Sequence, residues 1–200
     1  MSTTGWTDPG GSAGPGGSAG PGTRLWHQAQ VAAGATVGAD CTLGKGAYVG
    51  AGAVIGDRVK IGNYACVFGA SVADEAMICP GAMLLEDPAP RAANPDGTLK
   101  TAADWTPRPV SVGHGATIGA SAVIAPGVTV GPRAMVAVGA AVTRDVAAHA
   151  LVAGNPARPV GWACACGTTL DAGLRCPSCG HAWEHGDLGL AAIVGKEELA

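Results

Sequence analysis

Residues 37–66 read VGADCT-LGKGAY-VGAGAV-IGDRVK-IGNYAC, five consecutive six-residue blocks that each open on an aliphatic side chain followed by glycine. The rhythm extends in both directions. Upstream it includes Leu25 and Val31, and downstream Val67; a five-residue step then leads to Val72, followed by Ile78 and Leu84. A second series runs through Val112, Ile118, Ile124, Val130, Val136 and Val142. The residue two before each aliphatic is usually alanine, valine or another small side chain. A period of six drifts around a 3.6-residue turn, and each interior glycine costs a helix about 1 kcal/mol. A simple alternating sheet repeats at two and has no use for a glycine every six. Three hexads per coil, each a short strand and a corner, satisfy the pattern. The aliphatics then point inward and stack on their copies one coil away, about 4.8 Å along the axis. This predicts an all-β solenoid, a triangular prism filled with valine, isoleucine and leucine.

Composition agrees with such a fold. The chain has 200 residues with 33 Gly but only one Phe and two Tyr, so layers of large side chains are not expected. Charge is sparse at 14 %, with a net charge of −3, and lacks the clustered lysine and arginine of a nucleic-acid surface. Glycine interrupts every apolar stretch, which excludes a membrane-spanning helix of about 18 residues. The start has neither a basic cluster nor an apolar segment of signal-peptide type, so a cytoplasmic protein is expected.

The predicted organisation has four parts. Residues 1–22, with GGSAGPG recurring, carry too little apolar surface to offset chain entropy and read as a disordered arm. Residues 23–162 form the solenoid, 163–185 a cysteine module and 186–200 a tail, which the sequence leaves open as strand or short helix.

Three features carry chemistry. Residues 86–110, EDPAPRAANPDGTLKTAADWTPRPV, leave the compact repeat. A long irregular loop on a rigid scaffold is usually functional or disordered. Trp105 as an anchor, with Arg91, Arg108 and the turn at Asn94–Gly97, favours an ordered substrate loop. At the end of the second series, VAVGAAVTRDVAAHALVAGNPARPVGW (136–162) offers small residues and free amides beside which a thin pantetheine arm fits. Gly139, Ala140, Asn155, Pro156 and Arg158 are the candidate coenzyme contacts, and Arg158, Arg144 or Arg133 can pair with phosphates. Third, Cys164-Ala-Cys166 and Cys176-Pro-Ser-Cys179 match a closed, four-thiolate structural zinc site, a ribbon-like module. Cys41, Cys66 and Cys79 lie within hexads and read as small packing residues.

Five stretches carry a family resemblance: LWHQAQV (25–31), PRAANPDGTLKTAADW (90–105), VGHGATIGASAVIAPGVTVG (112–131), VTRDV (142–146) and VAGNPARPVGW (152–162). With the cysteine module they resemble the hexapeptide-repeat sugar-nucleotide N-acetyltransferases. The best-known members acetylate UDP-2-acetamido-3-amino-2,3-dideoxyglucuronate with acetyl-CoA. The resemblance implies a left-handed parallel β-helix, a homotrimer with coenzyme between adjacent prisms, and a nucleotide-sugar acceptor nearby. The family's Phe-Thr-Asn-Asp stretch before the loop is Leu84-Leu85-Glu86-Asp87 here, so Glu86 stands where an asparagine holds the sugar amine. Glu86 can attract the ammonium or accept its proton. Related enzymes use a histidine as base, which makes His114 a second catalytic candidate and His27 a substrate-binding one. Together with Arg91 and Trp105, these residues define the expected acceptor site. The alternatives are acetylation of another small amine or hydroxyl, and a non-catalytic scaffold. A zinc anhydrase on a related prism needs three histidines from neighbouring coils, which the spacing of His27 and His114 does not give.

Overall fold

Each hexad forms a two-residue strand and a corner. In the strand the first residue faces out and the second faces in, because neighbouring side chains on a strand point to opposite sides. Three hexads close one coil, and the fourth lies in parallel register on the first. The computed structural model describes residues 6–7, 11–13 and 16–193. Within them the strands stack into three sheets, the faces of a three-sided parallel β-solenoid.

On face one, Leu25, Leu43, Ile61, Ile78, Ile118 and Val136 lie in one column. On face two the column is Val31, Val49, Val67, Leu84, Ile124 and Val142. On face three it is Val37, Ile55, Val72, Val112 and Val130. Every one of these side chains is at most 4 % exposed. The small residues before each strand, such as Ala47, Ala65 and Ala122, are buried in the corners. The in-phase aliphatics and the small-residue rule therefore both describe the observed core.

The glycine after the aliphatic has a steric cause. A Cβ on Gly62 would lie 2.5 Å from the backbone nitrogen of Pro80, one coil on, and Gly113 meets Pro132 in the same way. At these glycine corners the coils approach so closely that no side chain fits between them. Acidic and amide side chains tie adjacent corners together: Ala39 N–H donates to Asp57 Oδ1 (2.8 Å), Asp57 N–H to Asp74 Oδ1 (2.9 Å) and Lys45 N–H to Asn63 Oδ1 (2.9 Å).

Two points in the first half of the chain qualify the expected layout. Across the five-residue step from Val67 to Val72 the register is kept, Ser71 opposite Val54 and Val72 opposite Ile55. The corner shrinks to Phe68-Gly69-Ala70, with Gly69 at φ +53°. The second is the boundary at residue 22, which the structure corrects. Ser12–Ala13 pairs with Gln30–Val31, and Ser18–Ala19 with Thr36–Val37, as earlier coils of the same solenoid. Ala13 and Ala19 precede Leu25 at six-residue spacing, so the hexad phase runs through the glycine-rich repeat. Ala19 packs against the core while Ala13 is exposed, so the core thins there although the strand pairing continues.

At the other end the chain leaves the prism in an antiparallel hairpin, Ala150–Gly154 with Ala157–Trp162. Beyond it a second, smaller core gathers Cys164, Leu170, Cys176, Trp183 and Leu190. Trp162 packs against both cores. This module extends past residue 185: Trp183–Gly186 and Gly189–Ala192 form a hairpin, which puts the start of the expected tail in a strand. His149 fastens the module to the last coil. Its side chain is buried, its Nδ1–H donates to the Ala163 carbonyl at 2.8 Å, and its ring lies 4.2 Å from that of Trp183. Burial holds its pKa below the ordinary histidine value.

The stacked columns set an expectation for stability. Ile78 is fully buried between Ile61 and Ile118, and Ile78→Ala should cost about 2–5 kcal/mol in urea unfolding. Ser71→Ala, on the outward side of face three, should change stability by under about 0.5 kcal/mol.

Candidate functional site

The one long interruption of the solenoid builds a cleft. Its ends are clamped where Arg108 N–H donates to the Glu86 carbonyl (2.8 Å) and Gly127 N–H to the Arg108 carbonyl (2.9 Å). The loop then holds itself in shape. Asn94 N–H bonds the Thr98 carbonyl, the Thr98 hydroxyl and N–H donate to Asp96, and Thr101 and Asp104 cap a single 3₁₀ turn at Ala102–Asp104. These bonds hold the Asp96 and Asp104 carboxyls below their ordinary pKa. The loop is an ordered element, as its turn chemistry predicts.

Between loop and prism lies a space of about 290 Å³ walled by Phe68, Leu85, Glu86, Asp87, Pro90 and Trp105. The Glu86 carboxylate stands directly over Gly69, where a Cβ would collide with it. The shortened corner thus makes room for the one acidic side chain that the sequence marks as anomalous. Partial burial raises the Glu86 pKa above the ordinary carboxylate range, and neighbouring Asp87 adds to the shift. A carboxyl in an aromatic-walled cleft with a raised pKa has the properties of a proton acceptor.

The other candidates lie elsewhere on the chain. Trp105 is in the cleft wall, as expected. Arg91 is exposed on the loop, its guanidinium donating to the Pro90 carbonyl (3.1 Å). His27 is on the edge between faces one and two, Glu86 between faces two and three, and His114 between faces three and one. A single chain therefore does not bring the two catalytic candidates together. His114 joins a surface cluster instead: its Nε2 lies 3.0 Å from Arg133 Nη2 and 3.3 Å from Glu75 Oε2, and Arg133 and Arg58 both bind Glu75. Arginine only donates, so the shorter contact fits an acceptor lone pair at Nε2.

The expected coenzyme residues divide. Arg158 lines a groove of about 370 Å³ at the end of the prism, with Val142, Arg144, Ala157, Pro159 and Trp162. Asn155 and Pro156 are exposed at the hairpin tip. Gly139 occupies a corner on the edge between faces one and two, at φ +68°. Ala140 is a correction: it is 1 % exposed and points into the core, because its hexad position is that of the buried small residue. Phe68, Leu85 and Pro90 were not singled out by sequence. Phe68 is the chain's one phenylalanine and follows the aliphatic that opens the five-residue step, a signal available in the sequence.

The four module cysteines converge. The sulfurs of Cys164, Cys166, Cys176 and Cys179 all lie within 4.8 Å of one another, with pairs at 3.5 and 3.6 Å. Four thiolates about 2.3 Å from a zinc ion form a tetrahedron with edges near 3.8 Å, so the quartet has the size a metal needs. The Thr168 hydroxyl and N–H bring the Cys166 thiol down to about 6. Cys179 goes the other way, to about 12: the His181 N–H lowers it, but Cys176, burial and the other two cysteines outweigh that.

The prism, its two-residue strands and its buried aliphatic columns define a hexapeptide-repeat β-solenoid. Residues 34–69 match the model of the bacterial transferase hexapeptide (six repeats), and residues 109–144 that of the hexapeptide repeat of succinyl-transferase. More particularly, the chain is 38 % identical over 76 residues to the dTDP-3-amino-3,6-dideoxy-alpha-D-galactopyranose 3-N-acetyltransferase of Aneurinibacillus thermoaerophilus. The match covers 36 % of this chain and 39 % of that one, so it spans well under half of the relative. Two solved structures share the fold. A point mutant of AntD, an N-acyltransferase from Bacillus cereus, in complex with dTDP and coenzyme A, has TM-score 0.54 at 17 % identity, over 79 % of this chain and 82 % of that one. The acetyltransferase domain of PglB from Neisseria gonorrhoeae has TM-score 0.50 at 21 % identity, over 78 % and 57 %. Among the described residues, no helix is long and apolar enough to cross a membrane.

Proposed function

We propose that this chain transfers an acetyl group from acetyl-CoA to the amino group of a nucleotide-linked amino sugar. The observation that carries the reading is Glu86: a partly buried carboxyl of raised pKa, in an aromatic-walled cleft, beneath the one long ordered loop of a hexapeptide-repeat prism. The named activity of the Aneurinibacillus relative supports the class of acceptor.

In the reaction Glu86 attracts the sugar ammonium and takes its proton. The neutral amine then attacks the thioester carbonyl, forming the C–N bond. The adduct nitrogen then gives up its second proton, and collapse of the tetrahedral oxyanion breaks the C–S bond and releases the coenzyme thiolate, which takes up that proton. The protein's contribution is positioning and charge stabilisation. Phe68 and Trp105 flank the sugar, and Arg91 is within the same loop for the acceptor's anionic groups. The groove beside Arg158 and Arg144 suits a phosphate-bearing coenzyme.

Because Glu86, His114 and His27 occupy three different edges, one copy cannot gather them. A homotrimer that sets the edge of one prism against the face of the next can complete the site from two copies. Cys164, Cys166, Cys176 and Cys179 would hold zinc in a structural role, since a closed set of four thiolates leaves no open position for substrate. Reduced thiols of this kind suit the cytoplasm.

Purified protein incubated with acetyl-CoA and UDP- or dTDP-linked 3-amino sugars should release free thiol with at least one acceptor. Light scattering should give a mass near three times 19.4 kDa. Thiol release with none of these acceptors overturns the proposed activity.

A further inference from the structure

The walls of the loop cleft also decide which sugar ring fits beside Glu86. Phe68, Leu85, Pro90 and Trp105 are apolar, and the remaining wall residues, Glu86 and Asp87, are acidic. Among the described residues no lysine, arginine or histidine lines the space. The loop's two arginines are directed elsewhere: Arg91 donates to the Pro90 carbonyl (3.1 Å), and the Arg108 guanidinium lies over Gly127. The electrostatics agree with this lining. Burial and Asp87 both raise the Glu86 pKa, and no cation opposes them. The walls are also held in place. The Phe68 ring packs against Tyr48, with centroids 5.6 Å apart, and Asp87 accepts the Ala89 N–H at 2.8 Å.

Charge then separates the acceptors. A sugar amine bound here brings one ammonium, which Glu86 neutralises. A carboxylate on the same ring, as a uronate carries, would enter an apolar space of about 290 Å³ beside the Asp87 carboxylate, with no cation to pair it. Unpaired like charges in a desolvated site cost more than a misplaced methylene or hydroxyl. A methyl group at the same ring position instead gains contact with the apolar wall. A hydroxymethyl group lies between the two: its hydroxyl can donate to a carboxylate, and an apolar pocket rejects an added hydroxyl only weakly.

We infer that the cleft of Phe68, Leu85, Glu86, Asp87 and Trp105 selects a neutral amino sugar, a 6-deoxy ring with its methyl on the apolar wall, and rejects an aminouronate. The inference rests on the proposed transfer to a nucleotide-linked amino sugar. It departs from the uronate acceptor of the best-known family members. Leu85 is the position at which the selection can be changed, since a cation placed there joins the wall without replacing Glu86 or either aromatic ring.

Three acceptors that differ only at the C5 branch test this: a 3-amino-3,6-dideoxyhexose, the matching 3-amino-3-deoxyhexose and the matching 3-amino-3-deoxyhexuronate, each linked to UDP and to dTDP. Thiol release from acetyl-CoA gives kcat/KM, and calorimetry on the full chain without acetyl-CoA gives Kd. The 6-deoxy sugar should exceed the uronate by about a hundredfold or more in kcat/KM and bind more tightly, with the hydroxymethyl sugar between them. Leu85→Arg, shown to be folded by circular dichroism melting, should shift the preference toward the uronate by about tenfold or more. The inference is overturned if the uronate binds and reacts as well as the 6-deoxy sugar, if none of the three binds, or if folded Leu85→Arg keeps the parental preference. Equal turnover of all three would leave the transferase reading standing. Selective binding of the 6-deoxy sugar with no thiol release would refute that reading and leave the selectivity assigned.

Discussion

Glu86→Gln should lower kcat/KM for acetyl transfer by about 10²–10⁴-fold, the range over which a positioned general base acts. Glutamine keeps the shape over Gly69 and between Phe68 and Trp105, so acceptor binding should change far less than turnover. The pH dependence carries the sharper signature. The Glu86 pKa is raised by burial and by Asp87, and only its deprotonated form can take a proton from the ammonium. Activity should therefore fall with decreasing pH at a higher pH than an ordinary carboxylate would give. In Glu86→Gln that limb should vanish. A variant with parental turnover and an unchanged acid limb would remove Glu86 from the chemistry and leave it as a wall of the cleft.

The second large effect concerns the cysteine module. Metal analysis of protein purified without chelator should find about one zinc per chain, and Cys176→Ser should lose it. Zinc binding by small cysteine modules supplies on the order of 10–16 kcal/mol, far more than the few apolar residues around Leu170, Trp183 and Leu190 can. Stripping the metal should therefore open amide exchange across residues 163–192. The solenoid amides should stay protected, because their buried columns run through every coil while the module meets the last coil, through Trp162 and His149. Exchange in 163–192 that is indifferent to chelation would show that the sulfurs cluster without a metal.

The repeat was highly legible because a β-solenoid is built from local rules reused in every coil. Each aliphatic at six-residue spacing occupies the same inward position, and each glycine that directly follows one of them meets backbone one coil on. Legibility ends where glycine-rich composition masks the hexad phase. The GGSAGPG segment reads as an arm because of its glycine, yet Ala13 and Ala19 continue the hexad and pair in register. Ala140 shows the same lesson at one residue: it belongs to a chemically suggestive stretch, but its phase buries it.

The candidate site was legible in parts. Glu86, Trp105 and the four cysteines were accessible from sequence, since an interrupted repeat and paired cysteines are local patterns. Which side chains share a cleft was not. Phe68 meets Glu86 only because one corner is a residue shorter and the next coil passes over it. Local patterning was enough to specify the prism, its core and the place where the chain leaves the repeat, because those depend on the identity of residues within one turn of chain. The separation of His27, Glu86 and His114 onto different edges emerged only in three dimensions. Every coil turns through three corners, so residues similar in motif are parted by the geometry of the triangle.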